Sequence, residues 1–245
     1  ITTKKFEFHL NHEQQKCLDD INNFGNKFNV TLLQGVTGSG KTIVYFKKIK
    51  EIIQKRKQAL VLLPEIFLTN QFSQRFEDFF GFKPAIWHSK ITKKNRRIIW
   101  QSIAHDKVKL VVGARSSLFL PFKNLGLIVV DEEHDSSYKQ DEGIRYNARD
   151  MAVSRAAMEN IPILLSTSIP SLETYNNVKI RKYNITKLKK RYKGFSLPKA
   201  EIINLNINKK NKNIWIDIKT LNLVEKYLKK NEQVLFFLNR RGYAP

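Results

Sequence analysis

Three glycines fall within eight residues at 35–42, Gly-Val-Thr-Gly-Ser-Gly-Lys-Thr, between an apolar run at 30–34 and a helix-forming stretch at 41–54. No other feature restricts the fold of this chain as strongly. The spacing is G-x-x-x-x-G-K-[ST], in which a strand passes through a tight turn into a helix. Glycine lets the N–H groups of the turn point inward around an anion, where a Cβ would obstruct them. The first turn of the helix adds unpaired N–H groups and favourable partial charge. Lys41 supplies a cation for β- and γ-phosphates, and the Thr42 hydroxyl can ligate Mg²⁺. Gly35, Thr37, Gly38, Ser39, Gly40, Lys41 and Thr42 are therefore the expected phosphate-binding set, with ATP and Mg²⁺ as the ligand. A chance glycine turn is the competing reading; the strand before it and the helix after it weigh against that.

The remaining pattern alternates short apolar strands with helices, as in a parallel α/β sheet flanked by helices. Helices are expected at 12–24, 41–54, 66–80, 93–104, 148–158 and 171–177, and strands at 30–34, 59–63, 84–88, 108–112, 125–130 and 161–165. The runs at 108–112 and 125–130 are near-continuously apolar, as for strands buried on both faces. The second ends in Asp131-Glu132-Glu133-His134. In P-loop NTPases a carboxylate at the end of a neighbouring strand holds Mg²⁺. Asp131 suits that role. Glu132 is placed to orient or deprotonate an attacking water, and His134 to contact neighbouring elements and report the nucleotide state. An acidic loop alone is common; after a P-loop and an apolar strand it becomes specific.

Beyond residue 178 the texture changes. Residues 179–199 read as basic and irregular, with Gly194 and Pro198 as breakers. Strands are expected at 201–205 and 232–238, with a polar loop at 207–213 between them. Ile218, Leu221, Val224 and Leu228 fall on one helical face. The expected organisation is an ATP-binding lobe at 1–178, a basic linker at 179–213 and the start of a second lobe at 214–245. One strand and one helix cannot close a second sheet.

The chain has 44 basic and 22 acidic residues, a net charge of +22. The excess is uneven: +10 over residues 1–100, −1 over 101–150 and +13 over 151–245. Such a balance favours a polyanionic partner. The competing readings are compositional bias towards Lys, Asn and Ile, and, for 179–199, a solvated face. Cys17 is the only cysteine, so no internal disulfide forms; a buried thiol and a reducing, cytoplasmic setting are expected. No apolar run approaches the roughly 20 residues of a membrane helix.

Several stretches, in this order and spacing, resemble superfamily 2 helicases, and within them the primosomal replication-restart helicases. They are 10–14 (Leu-Asn-His-Glu-Gln), 33–42, 63–69 (Leu-Pro-Glu-Ile-Phe-Leu-Thr), His88-Ser89 and 113–117 (Gly-Ala-Arg-Ser-Ser). Further on come 131–140, 145–150 (Arg-Tyr-Asn-Ala-Arg-Asp) and 237–245. The resemblance implies a RecA-like lobe and a DNA-dependent ATPase that translocates 3′ to 5′ and unwinds abandoned replication forks. Single-stranded and forked DNA, other primosome proteins and single-stranded DNA-binding protein are the implied partners, with no membrane. It implies an adenine-reading role for Gln14 and DNA-backbone contacts for Pro64, Glu65, Thr69, Gly113, Arg115 and Ser116; for each, packing or capping is the plain alternative.

Three departures stand out. The motif that links hydrolysis to unwinding usually reads Gly-Ser-Ala-Thr-Pro-Ser, whereas residues 166–171 read Ser-Thr-Ser-Ile-Pro-Ser. Ile169 removes a hydroxyl whose buried partner would lose roughly 1–3 kcal/mol, and Ser168 is the expected substitute. The family's zinc cysteines and second-lobe arginine finger have no counterparts here, so no zinc site is expected in this chain; Arg240 and Arg241 match an earlier motif. The family's N-terminal DNA-binding domains have none either. The chain begins at Ile1, and both a fragment and a shortened relative fit. A module that binds ATP and DNA without coupled hydrolysis is the alternative function, and a P-loop ATPase acting on RNA or protein a third.

Overall fold

The computed structural model describes residues 9–191, 200–203 and 216–237. The chain forms two compact units, residues 1–196 and 197–245.

Seven strands of the first unit form one sheet: β1 (Val30–Gly35), β2 (Gln58–Leu62), β3 (Ala85–Trp87), β4 (Leu110–Gly113), β5 (Leu125–Asp131), β8 (Ile163–Thr167) and β9 (Asn184–Leu188). Their order is β3-β4-β2-β5-β8-β1-β9 and every pairing is parallel. A separate antiparallel pair joins β6 (Lys139–Gln140) to β7 (Tyr146–Asn147).

Strand side chains alternate between faces, and here both faces are covered. Leu33, Val61, Val129 and Leu164 pack with Cys17 and Leu18 of α1 (His12–Asn23), Val44 and Ile49 of α2 (Lys41–Gln54) and Phe76 of α3 (Asn70–Phe80). Leu32, Leu60, Leu62, Ile128, Val130 and Leu165 pack on the opposite face with Ile103 of α4 (Lys93–Ala104) and with Ala148, Ala152 and Ala156 of α5 (Ala148–Met158). Burial on both faces explains the continuous apolar runs. The fold is the expected α/β one, a parallel sheet between helical layers.

Parallel strands end at one edge, which collects the chemistry. β1 runs there into the P-loop, β5 ends at Asp131, and β8, lying between them, ends at Thr167.

Several expectations change. The helix expected at 66–80 begins at Asn70, after a single 3₁₀ turn at Glu65–Phe67. Thr69 is extended, and its hydroxyl accepts the Phe72 N–H, so it caps α3. The strand expected at 161–165 is displaced to Ile163–Thr167, following Pro162, which has no N–H to give to a ladder. Residues 179–199 are not irregular throughout. They contain the end of α6 (Leu172–Lys179) and the edge strand β9, whose Thr186 and Leu188 face inward while Lys187 is exposed. The strand expected at 232–238 is absent from its described part, 232–237, as is that at 201–205 from 201–203. The loop at 207–213, Arg240 and Arg241 lie outside the described residues.

In the second unit, α7 (Ile218–Leu228) is capped by Asp217, whose carboxylate accepts the Lys219 N–H.

Candidate nucleotide-binding site

The P-loop is built from both ends. Gly40, the residue before α2, has φ 85°, a left-handed conformation that favours glycine, and a Cβ there would lie 2.3 Å from Gln14 Nε2. α2 carries no side-chain cap, so its first N–H groups remain available for an anion. The Ser39 hydroxyl is buried and has no hydrogen-bond partner among the described residues. Lys41 Nζ donates to the Gly35 carbonyl at 2.9 Å. A buried hydroxyl in need of a partner, uncapped helical N–H groups and a lysine beside the loop are what a triphosphate requires.

Gln14 is buried against this loop. Its Oε1 accepts the Asn11 N–H at 3.0 Å, completing a capping box on α1, and its Nε2 donates to the Ser39 carbonyl at 3.0 Å. A cleft of about 690 Å³ opens over the loop, lined by Gln14, Thr37, Lys41, Thr42, Asp131 and Glu132, with Phe46, Arg75 and Phe79 on another side. Thr42 and Asp131 thus share one cavity. They would hold Mg²⁺, which supplies positive charge to the phosphate oxygens. A hydroxyl and a carboxylate fit that ion, which takes few protein ligands and completes its shell with phosphate and water.

Asp131 is anchored on every side. Its Oδ2 accepts from the Tyr45 hydroxyl at 3.0 Å, and its Oδ1 accepts from the Ser166 hydroxyl at 2.7 Å and the Glu132 N–H at 3.1 Å. The Tyr138 hydroxyl lies 2.6 Å from the Asp131 carbonyl and 3.0 Å from that of Leu62, bracing β5 against β2. Burial holds the Asp131 carboxyl above the usual range, against the pull of these donors and Lys41. Glu132 is raised too, by burial and then by the Asp131 charge. A carboxylate of raised basicity beside a phosphate site can take a proton from water.

His134 Nδ1 lies 2.7 Å from the Thr167 hydroxyl and 3.6 Å from Glu132 Oε2. Thr167 in turn donates to the Ile169 carbonyl at 2.9 Å. Thr167, rather than Ser168, meets His134. Ile169 is 73% exposed, so among the described residues it faces solvent and not a buried hydroxyl partner.

Reasoning from the sequence missed a buried network beneath this corner. Glu133, 1% exposed, accepts from the Ser171 N–H at 2.7 Å, the Ser171 hydroxyl at 3.0 Å, the Thr174 hydroxyl at 3.0 Å and Arg149 at 3.3 Å. It also missed Tyr45 and Ser166. For Tyr45 the spacing was a signal: one turn after Thr42, it shares that residue's helical face.

The residues expected to face DNA lie on the other half of the same edge, at or following the ends of β2 and β4. Glu65, in the 3₁₀ turn after Pro64, hydrogen-bonds to the Ser89 hydroxyl. Ser116 accepts from Trp87 Nε1 at 3.2 Å, and Arg115 donates to the Lys139 carbonyl. Gly113 is required where β4 passes β3, since a Cβ there would meet the Trp87 carbonyl at 2.6 Å.

A phosphate loop after the first strand, facing an acidic strand end across one intervening strand, defines a P-loop NTPase lobe. The sequence profile of the DEAD/DEAH box helicases matches residues 11–176, and the chain belongs to that family. It is 52% identical over 233 residues to the replication restart protein PriA of Rickettsia conorii, covering 95% of this chain and 36% of that protein. With PriA of Haemophilus influenzae it shares 45% identity over 238 residues, 96% of this chain and 32% of that one. The chain therefore spans about a third of the length of these relatives. Among solved structures, RecG bound to a three-way DNA junction superposes with a TM-score of 0.55 at 20% identity, covering 81% of this chain and 25% of that one. The helicase MrfA bound to DNA gives 0.54 at 17% identity, covering 77% and 28%. These similarities establish the fold as that of a helicase RecA-like lobe. No helix among the described residues is long and apolar enough to cross a membrane.

Proposed function

We propose that this chain is the ATP-binding motor region of a replication-restart DNA helicase, translocating 3′ to 5′ on DNA at stalled forks. The observation that carries the nucleotide half of this reading is the cavity shared by the P-loop and the end of β5. In it, Lys41 and the α2 N-terminus bind phosphate, Thr42 and Asp131 hold the ion, and Glu132 accepts a proton from the attacking water. Gln14 is the proposed adenine reader, by exchanging its bond to the Ser39 carbonyl for the base edge. His134 and Thr167 carry the state of that corner to the segment before α6.

The DNA half is supported by similarity to PriA and by the clustering of Glu65, Ser89, Arg115 and Ser116 along the β2–β4–β3 half of the edge. Pro64, Thr69 and Gly113 shape or cap that surface. Primosome proteins and single-stranded DNA-binding protein are the proposed partners of the whole protein, in the cytoplasm. Residues 1–178 with β9 form the proposed first lobe, and α7 opens the second.

The test is ATP hydrolysis by the chain with no nucleic acid, with single-stranded DNA, with forked DNA and with RNA of equal length. Stimulation by DNA over RNA is the expected result. Nucleotide and DNA binding without stimulated turnover would favour a non-hydrolysing module, and equal stimulation by RNA would contradict the DNA assignment.

A further inference from the structure

Tyr45 has no place in the mechanism above, yet its hydroxyl is bonded to one of the two residues proposed to hold the metal. The side chain is fully buried, at 0% exposure, one helical turn beyond Thr42. Its hydroxyl donates to Asp131 Oδ2 at 3.0 Å. Core packing alone does not explain a phenol here. A phenylalanine would fill the same space without bringing a polar group into the interior, where an unpaired hydroxyl is costly.

The hydrogen-bond inventory suggests what the phenol does. The other carboxylate oxygen of Asp131 is held by Ser166 and the Glu132 N–H, so a donor on Oδ2 fixes the rotation of the whole group. The lone pairs left on the carboxylate are then preset for a cation in the cleft that Asp131 lines.

We propose that Tyr45 is a positioning residue for the magnesium site, orienting Asp131 through its hydroxyl. This rests on the Mg²⁺–ATP reading of the cleft. Groups that orient metal ligands commonly contribute 10–100-fold in metal affinity, and a single phenol hydroxyl is expected near the lower end.

The experiment uses Mn²⁺ as the probe, its free aquo ion followed by electron paramagnetic resonance at saturating ATP. Wild type, Tyr45→Phe, Asp131→Asn and the double variant are compared as full 245-residue chains. Circular dichroism and thermal melting check that each folds. The expected result is about tenfold weaker Mn²⁺ binding in Tyr45→Phe than in wild type. No further loss is expected when Tyr45→Phe is added to Asp131→Asn, because the phenol acts through the carboxylate. ATP affinity in the absence of metal should be unchanged by Tyr45→Phe. Unchanged Mn²⁺ affinity in a folded Tyr45→Phe overturns the inference while leaving the nucleotide site standing, as does a full additional loss in the double variant. A wild-type chain that binds neither ATP nor Mn²⁺–ATP overturns the underlying reading itself.

Discussion

Glu132 combines two costs at one residue. Its backbone is left-handed, at φ 47°, and such a conformation in a residue with a Cβ costs on the order of 1–3 kcal/mol. Its carboxyl is half-buried beside Asp131, and burial and that charge raise its proton affinity. A general base with a raised pKa loses activity as pH falls through that raised value. The acid limb of kcat/KM for ATP should therefore lie above the usual glutamate value of about 4.3, and Glu132→Gln should lower turnover and remove the limb; a pH–rate series checks this. Asp131 gives a stability prediction of opposite kind. Its carboxyl is raised in the folded chain by burial, so the folded state binds the proton more tightly than the unfolded state does. Stability from this group then falls as pH rises from about 3.9 through the raised value. The cost is in full force at neutral pH. Asp131→Asn should raise the melting temperature at pH 7 in metal-free buffer while abolishing Mg²⁺-dependent hydrolysis. A lowered melting temperature would contradict this account of Asp131.

At the scale of elements, the β5 corner is held by the ion pair beneath it. Glu133 follows β5, Arg149 opens α5, and Ser171 caps α6. Removing one partner of such a buried pair leaves an uncompensated charge, a loss of about 3–5 kcal/mol. Arg149→Ala should therefore reduce the unfolding free energy by that much in a denaturant titration, and pairing Arg149→Met with Glu133→Gln should recover part of it. What was legible in the sequence follows the same logic. Lys41–Gln54 could be placed because a glycine turn, an apolar strand and helical periodicity agree there. The β9 strand could not. As an edge strand of Asn-Ile-Thr-Lys-Leu it has few inward positions, and its lysine and the basic residues after it made it look like linker. The break at Leu68-Thr69 was hidden because apolar spacing continues across it, while the Thr69 cap shows only in backbone geometry. The proposed ligating residues could be named from the sequence because their types and spacing follow from phosphate chemistry. Ser166 and Thr167 could not, because they act through partners more than 30 residues away; Tyr45 left only its helical spacing from Thr42 as a signal, its carboxylate partner lying 86 residues on.

For the whole molecule, charge and topology point the same way. The strand ends put nucleotide chemistry on the β5–β8–β1 half of one edge and the proposed DNA-facing residues on the β2–β4–β3 half. The net charge of +22 makes electrostatic attraction to a polyanion strong. Binding to single-stranded DNA should weaken steeply with salt. Replacing Lys187, Lys189, Lys190 and Arg191 with Gln should flatten the slope of log K against log salt by about 0.7 for each phosphate no longer neutralised. An unchanged slope would assign that run to a solvated face. All of this chemistry requires nucleotide to enter the cleft over Gly35–Thr42. The most direct measurement is calorimetric titration of the 245-residue chain with Mg²⁺–ATP, beside Lys41→Ala. Saturable binding at one site in wild type, abolished or much weakened in a folded Lys41→Ala, is the predicted result; equal affinity in the two chains would contradict the assignment.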